Sequence, residues 1–179
     1  ASVELDVTVG TRGNFRLRGS PCAFPNLRID FQRATAETVF AGHETLKLVG
    51  HCRHSDEYEQ NTLEEYLAYR LYNLVTDASF RVRLARVNYV DANDATAPFS
   101  RYGFLIEEVD DVAARLHGIA FESREVNPLL LDPVATARLE LFQYMIGNTD
   151  FSIVFSHNSE LLRLPADRLS DDRRPIVRG

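Results

Sequence analysis

Residues 56–76 constrain the fold more than any other part of the sequence. Asp56 and Glu59 form the D-x-x-E pattern of a capping box at a helix start. Apolar residues follow at helical spacing, which predicts that one face of the helix is buried. These residues are Leu63, Leu67, Leu71, Leu74 and Val75. The sequence therefore predicts one long helix over 57–76, and strand-like segments flank it on both sides.

Alternation of apolar and polar residues predicts the strands. Strands are expected over 3–9, 14–18, 27–31, 46–49, 80–90 and 101–107. Gly10 and Gly13 predict a turn that joins the first two strands as a hairpin. A change in the apolar phase at Leu84 and Ala85 predicts a β-bulge. Residues 91–99 have the composition of a loop.

Two further helices are expected in the second half of the chain. Residues 109–116 predict a short helix that ends at Gly118. Asp132 followed by Pro133 predicts the start of another helix, which continues to Ile146 and stops at Gly147. Strands and helices in this order predict an α+β fold class.

Charge and hydropathy exclude two classes of protein. The 179 residues have a formal net charge of −6, which argues against a protein that binds nucleic acid through a broad basic surface. No apolar run reaches the roughly 18 residues of a membrane span, so we expect a soluble protein without a transmembrane segment. The chain begins at Ala1 without a signal-peptide pattern, and we expect it to be a piece of a longer protein.

Several segments of the chain follow one another in an order known from other proteins. Arg12-Gly13-Asn14 precedes the strand-like segment 27–31, and the segments 63–71, 81–89, 104–108 and 143–150 follow. In this order they resemble the R-G-N hairpin with its following strand, the helix, the strands, the hinge, and the helix end with the catalytic-loop aspartate of the CotH-type kinase-like family. The chain is more closely similar to uncharacterised bacterial proteins related to that family. The resemblance covers most of the chain. It implies a protein-kinase-like fold, with a β-rich N-lobe-like region over 1–108 and a partial helical C-lobe-like region over 109–179.

The resemblance also implies a nucleotide site in the first region. Lys47 is the single lysine beside nineteen arginines, and on a strand it would contact the phosphates of ATP. Glu65 would hold the ammonium group, with Glu64 as the second choice. Gly10 and Gly13 would let backbone amides approach the phosphates. The alternatives are an ordinary turn for the glycines, a solvated strand residue for Lys47 and an exposed helix face for the glutamates.

The catalytic and metal-binding residues would lie in the second region. Asp150 would accept the proton of the attacking hydroxyl of a protein substrate, or it is simply a turn residue after a helix. Asn158, beside His157, would bind Mg²⁺, although it lies farther from Asp150 than in the kinase loop. The acidic ligand expected after that loop is missing, because only Asp171 and Asp172 lie nearby before Gly179. We therefore expect a kinase-like domain that ends before the metal-binding segment and is either truncated or degenerate.

The function expected from the resemblance is ATP-dependent phosphoryl transfer to a protein hydroxyl, incomplete in this chain. The alternative is a non-catalytic, pseudokinase-like binding or structural module of an exported bacterial protein. Whether the chain is an enzyme stays open at this point.

Two cysteines leave three interpretations open. Cys22 and Cys52 form a disulfide if the protein is exported to an oxidising compartment, whether periplasmic, secreted or at the cell surface. With His51 and His54 they form a tetrahedral zinc site, although the ligand spacing is unusual. They are otherwise buried free thiols.

Four tyrosines on the long helix, Tyr58, Tyr66, Tyr69 and Tyr72, are expected to pack against the sheet or the second lobe.

Overall fold

The computed structural model describes residues 3–13, 16, 22–32, 35–93, 95–123, 126–165 and 176–178. The strands are β1 (Val7–Arg12), β2 (Asn26–Phe31), β3 (Thr45–Val49), β4 (Val82–Tyr89), β5 (Phe99–Ile106), β6 (Ile119–Phe121), β7 (Glu160–Arg163) and β8 (Ile176–Arg178). The α-helices of this part of the chain are α1 (Asp56–Val75), α2 (Val109–Arg115) and α3 (Pro133–Met145). The α+β fold class is therefore confirmed.

The chain divides into two compact units. Residues 1–70 and 81–108 form the first unit, and residues 71–80 and 109–179 form the second. The first unit contains a five-stranded antiparallel sheet in the order β1-β2-β3-β5-β4. The second contains a three-stranded antiparallel sheet in the order β6-β7-β8.

The hairpin predicted at Gly10 and Gly13 is wrong at Gly10. Strand β1 runs through Gly10 to Arg12 and pairs with β2, where Gly10 lies opposite Arg28. Of these two glycines, Gly13 alone has the positive φ of a turn residue, at 87°. Of the predicted second strand, 14–18, the structure describes only Arg16, whose conformation is helical.

The bulge predicted at Leu84 and Ala85 is also wrong. The pairing of β4 with β5 is continuous from Val82 opposite Ile106 to Tyr89 opposite Phe99. Ala85 lies opposite Gly103, where an added Cβ would come within 2.7 Å of the Val49 carbonyl oxygen. Ala85 has a small side chain and Gly103 has none, so the apolar pattern of the sequence is interrupted here while the hydrogen-bond ladder between β4 and β5 continues.

Helix α1 has the expected length but buries a different face. Thr62 and Tyr72 are buried, and the rings of Tyr66 and Tyr69 each lie 5.8 Å from the ring of Phe104 on β5. The leucine stripe faces outward, with Leu67, Leu71, Leu74 and Val75 exposed by 55%, 48%, 83% and 44%. The tyrosines and not the leucines therefore form the packed face of this helix.

The second unit has its own core and well-defined helix ends. Its buried cluster comprises Tyr72, Val126, Leu131, Leu139, Phe142, Ile153 and Leu161. Asp132 caps α3 as predicted, because its carboxylate accepts a hydrogen bond from the amide of Ala135 at 2.8 Å. The helix ends at Gly147, which has a φ of 69°.

Helix α2 ends in a Schellman motif in which His117, not Gly118, takes the left-handed conformation. Its φ is 57°, and the amides of His117 and Gly118 donate to the carbonyls of Ala114 and Ala113 at 3.0 and 2.8 Å. Gly118 is required for another reason. A Cβ there would lie 2.5 Å from the Arg163 carbonyl oxygen on β7.

None of the helices in the described part of the chain combines the length and the apolar composition needed to cross a bilayer.

Candidate functional site

Lys47 lies on β3 and forms a partly buried ion pair with a glutamate that the sequence analysis did not select. Its Nζ lies 2.8 Å from Glu108 Oε2, and the two side chains are 19% and 28% exposed. Lys47 is opposite Ile106 on β5, so Glu108, two residues beyond Ile106, is its diagonal neighbour at the sheet end. The pairing of β3 with β5, which the sequence analysis did not predict, is what brings Glu108 to Lys47.

The adjacent Glu107 has a structural role. It is 3% exposed, and its Oε1 accepts a hydrogen bond from the Arg81 amide at 2.7 Å. Its own amide donates to the Arg81 carbonyl at 3.3 Å. The two consecutive glutamates therefore have different roles. Glu107 forms hydrogen bonds with Arg81 at the end of the β4–β5 pair, and Glu108 forms the ion pair with Lys47.

Arg12 lies on the same face of the sheet as Lys47. Gly10, Arg28 and Lys47 are directly opposite one another across β1, β2 and β3, and Arg12 is two residues beyond Gly10. Its Nε is buried and has no hydrogen-bond partner among the described residues. Desolvation lowers the pKa of the Arg12 guanidinium, and the charges of Glu108, Tyr69 and Glu65 oppose that shift.

Arg16 brings a second guanidinium to this region. Its Nη1 donates a hydrogen bond to the Gly50 carbonyl, just after β3, at 2.7 Å. Burial lowers the pKa of Arg16, as does the like charge of Arg12, while Glu65 and Tyr89 raise it. The two arginines and Glu65 are therefore close enough to influence one another's ionisation.

Glu65, on α1, lies beside these arginines. Part of its surface is open to solvent, yet the protein around it desolvates the carboxylate and raises its pKa, against the opposing charges of Arg16 and Arg12. Glu64, the second choice, accepts a hydrogen bond from Gln60 at 3.2 Å on the helix surface. The ion pair described for Lys47 is the one with Glu108, and a contact between Glu65 and Lys47 stays a prediction.

We call Arg12, Arg16, Lys47, Glu65 and Glu108 the charged cluster. It joins residues of β1, β3 and α1 with the segment after β5 and with Arg16, and all five belong to the first unit. Three basic groups and two carboxylates on one side of a sheet provide N–H donors for an anion.

Gly10 and Gly13 lie at the end of the strand that carries Arg12. A Cβ at either position would meet no atom within 4 Å, so neither glycine is needed to admit a neighbouring part of the protein. The positive φ of Gly13 accounts for glycine there. Their role in phosphate binding stays a prediction.

Asp150 lies in an exposed, internally bonded loop of the second unit. Its amide donates to Asn148 Oδ1 at 3.0 Å, which is the geometry of an Asx turn. Its carboxylate lies 3.3 Å from His157 Nδ1, and the two side chains are 80% and 57% exposed. The carboxylate is open to solvent, as a base that meets a protein substrate must be. The turn interpretation describes its backbone equally well.

Asn158 supports the backbone of this loop. Its amide nitrogen donates to the carbonyl oxygen of Asp150, and its φ is 53°. The described part of the chain contains no group of three His, Cys, Asp or Glu side chains that could hold a metal ion. Asp171 and Asp172 lie outside the described residues. The described residues therefore do not form a complete Mg²⁺ site, and the role of Asn158 as a ligand stays a prediction.

The cysteines form a disulfide, Cys22–Cys52, so the zinc-site and free-thiol interpretations are wrong. A disulfide is typical of an oxidising compartment, and export of the protein stays a prediction. Beside it, His51 is fully buried among the rings of Phe24, Tyr89 and Phe99. Neither of its ring nitrogens has a hydrogen-bond partner within the described residues.

Comparisons with known proteins add no assignment. No protein-family model, curated protein or solved structure matches this chain. Of the predicted site residues, Lys47, Glu65, Gly10 and Gly13 belong to the first unit, and Asp150 and Asn158 belong to the second.

Proposed function

We propose that this chain is a kinase-like domain of the CotH-related type whose first unit binds a nucleoside triphosphate. The observation that carries the proposal is the ion pair between Lys47 and Glu108, at 2.8 Å, within the charged cluster. A half-buried lysine held by a carboxylate is a fixed positive charge, and phosphoryl transfer depends on such charges more than on covalent chemistry. Glu108 positions Lys47, and Lys47 contacts the phosphates.

In the full reaction, Asp150 would accept the proton of a substrate hydroxyl. Its exposed carboxylate and its contact with His157 support that role. A divalent cation would neutralise the phosphates, but the described residues do not form its site. We therefore derive no step through a metal, and Asn158 stays a candidate ligand only.

Isothermal titration calorimetry with ATP, with and without Mg²⁺, tests the nucleotide site. We expect Lys47→Ala to weaken ATP binding by about tenfold or more, because a charge-assisted contact is lost. Arg83→Ala is the matched control, since Arg83 is an exposed basic residue of β4 on the opposite face of the same sheet. Absence of binding by the wild-type protein, or equal binding by Lys47→Ala, would contradict the proposal.

A second candidate is a non-catalytic binding module that retains the anion site. The hydrogen bonds that Asn158 and His157 make to the Asp150 carbonyl favour this binding module, because they give the loop a structural role that does not require catalysis. Transfer of radiolabelled phosphate to added protein substrates separates the two. Transfer that Asp150→Asn abolishes supports a kinase, whereas ATP binding without transfer supports the binding module.

A further inference from the structure

Arg12 has an unsatisfied hydrogen-bond donor inside the charged cluster. Its Nε is buried without a partner among the described residues, and a buried donor left unpaired is destabilising. The side chain is nevertheless placed on the sheet face that carries Lys47. Arg12 as a residue is only partly buried, so its guanidinium can meet an anion at this face although Nε itself is covered by protein.

A hydrogen bond fixes Arg16 to the segment after β3, and a disulfide crosslinks the same segment. The disulfide joins Cys52 of this segment to Cys22. The amides of Ala23 and Phe24 also donate to the Cys52 carbonyl, at 2.8 and 3.2 Å. Arg16 itself is bonded to Gly50 at 2.7 Å. A guanidinium has five N–H donors, so one such bond leaves capacity for an anion.

The electrostatics of the pair favour an anion with several charges. Arg12 and Arg16 repel each other, and desolvation disfavours both charged forms. Glu65 is the carboxylate that acts on both of them. Glu108 also acts on Arg12, but it is paired with Lys47, so the two carboxylates of the charged cluster compensate its three basic groups incompletely. A polyphosphate chain supplies several acceptor oxygens and matches the planar guanidinium fork.

We propose that Arg12 and Arg16 together bind the polyphosphate chain of a nucleoside triphosphate, and that Glu65 is the internal counter-ion of this pair when no ligand is bound. The inference rests on the proposed function, because it concerns the same face of the sheet. It adds two binding residues that the sequence analysis did not select. It also changes the role of Glu65 from a partner of Lys47 to a competitor of the ligand.

Calorimetry with tripolyphosphate in the absence of Mg²⁺ tests the arginine pair. We expect Arg12→Gln and Arg16→Gln each to weaken binding by about tenfold or more, and Arg83→Gln to leave it unchanged. We expect Glu65→Gln to strengthen binding severalfold, because a competing carboxylate is removed. Unchanged binding by both arginine variants, or weaker binding by Glu65→Gln, would overturn the inference. ATP, ADP and inorganic phosphate as parallel ligands identify which source of phosphate the pair prefers.

Chemical modification of the wild-type protein gives a second readout that does not depend on folding of the variants. Tripolyphosphate should slow the modification of Arg12 and Arg16 by phenylglyoxal, measured by mass spectrometry, and should not slow that of Arg83. Equal rates with and without tripolyphosphate would overturn the inference. Protection of the pair with no effect of Lys47→Ala on ATP binding would contradict only the proposed function. ATP binding that needs Lys47 but neither arginine would contradict only this inference.

Discussion

The charged cluster of the first unit and the Asp150 loop of the second differ in what holds their functional groups. Lys47 and Arg16 are fixed through their side chains, by Glu108 at 2.8 Å and by the Gly50 carbonyl at 2.7 Å. In the loop, Asn158 and His157 instead contact the backbone carbonyl of Asp150, and the Asp150 carboxylate is 80% exposed. In the charged cluster, the charged side chains are held in partly desolvated positions, as they are in ligand-binding sites. In the Asp150 loop, the contacts stabilise the backbone of a turn.

This difference predicts how changes elsewhere in each unit affect nucleotide binding. The cluster depends on the packing of α1 against the sheet, because Glu65 lies on that helix. The loop depends mainly on its own hydrogen bonds. A change in the core of the first unit should therefore alter binding, and a change of similar size in the second unit should not.

The largest expected effect is that of Phe104→Ala. Phe104 is fully buried and contacts the rings of Tyr66 and Tyr69 of α1 at 5.8 Å each. Removing a buried phenylalanine side chain costs about 3–5 kcal/mol of unfolding free energy. Because Phe104 pairs with Val49, two residues after Lys47 on β3, and lies four residues before Glu108, its loss disturbs the segments that carry this ion pair, and we also expect weaker ATP binding by the folded protein. Urea denaturation and calorimetry measure the two effects.

Leu139→Ala is the matched control in the second unit. Leu139 is also fully buried, so its loss should cost about 2–5 kcal/mol. ATP binding by the folded fraction should stay at the wild-type level. If Leu139→Ala weakens ATP binding as much as Phe104→Ala does, the contrast between the two units is wrong.

A smaller effect is expected from His51, and it depends on pH. Desolvation lowers the pKa of His51, and the positive charges of Arg101, His54 and Arg16 act in the same direction against Glu59. The unfolded chain then binds a proton more readily than the folded protein, so stability falls as pH decreases below about 6.5. Each tenfold weakening of proton binding corresponds to about 1.4 kcal/mol.

The His51→Phe variant tests this dependence, since phenylalanine fits the ring contacts with Phe24, Tyr89 and Phe99. Its urea midpoint should decrease less than that of the wild-type protein between pH 7.5 and 5.5. His157→Gln changes an exposed histidine of the Asp150 loop and should keep the wild-type dependence. The same pH dependence in wild-type and His51→Phe proteins would show that protonation of His51 does not destabilise the fold.

The sequence predicted most elements of the fold, because their ends and periods are local properties. Asp132 and Pro133 begin α3 as expected, and the long helix occupies Asp56–Val75. Which face of that helix is buried was not predictable in the same way. Leucines and tyrosines both occur at helical spacing, and the choice between them depends on Phe104, which lies far away in the sequence. The prediction that the leucine stripe is buried was therefore wrong, whereas the expected packing of the tyrosines is confirmed for Tyr66 and Tyr69, which contact Phe104 of the sheet.

The site was predicted only in part for a similar reason. Lys47 was selected because its residue type is unique in the chain, which requires no knowledge of neighbours. Glu108, Arg12 and Arg16 become candidates only through strand register and through the hydrogen bond between Arg16 and Gly50, which are both non-local. Arginine is also too common in this chain for its residue type to single out any one position.

The smallest expected effect concerns Asn158 and separates its structural role from metal binding. Asn158→Ala should cost about 1–2 kcal/mol, because the bond to the Asp150 carbonyl is lost and alanine is strained at a φ of 53°. Asn158→Gly loses the same bond without the strain, so it should be more stable than Asn158→Ala by about 1 kcal/mol. Thermal unfolding with and without Mg²⁺ measures both variants. If Asn158 is only a turn residue, Mg²⁺ should shift the unfolding temperature of the wild-type protein and of both variants equally, because neither substitution then removes a ligand. If Mg²⁺ stabilises the wild-type protein and neither variant, Asn158 is a metal ligand, and the loop is a functional site like the charged cluster.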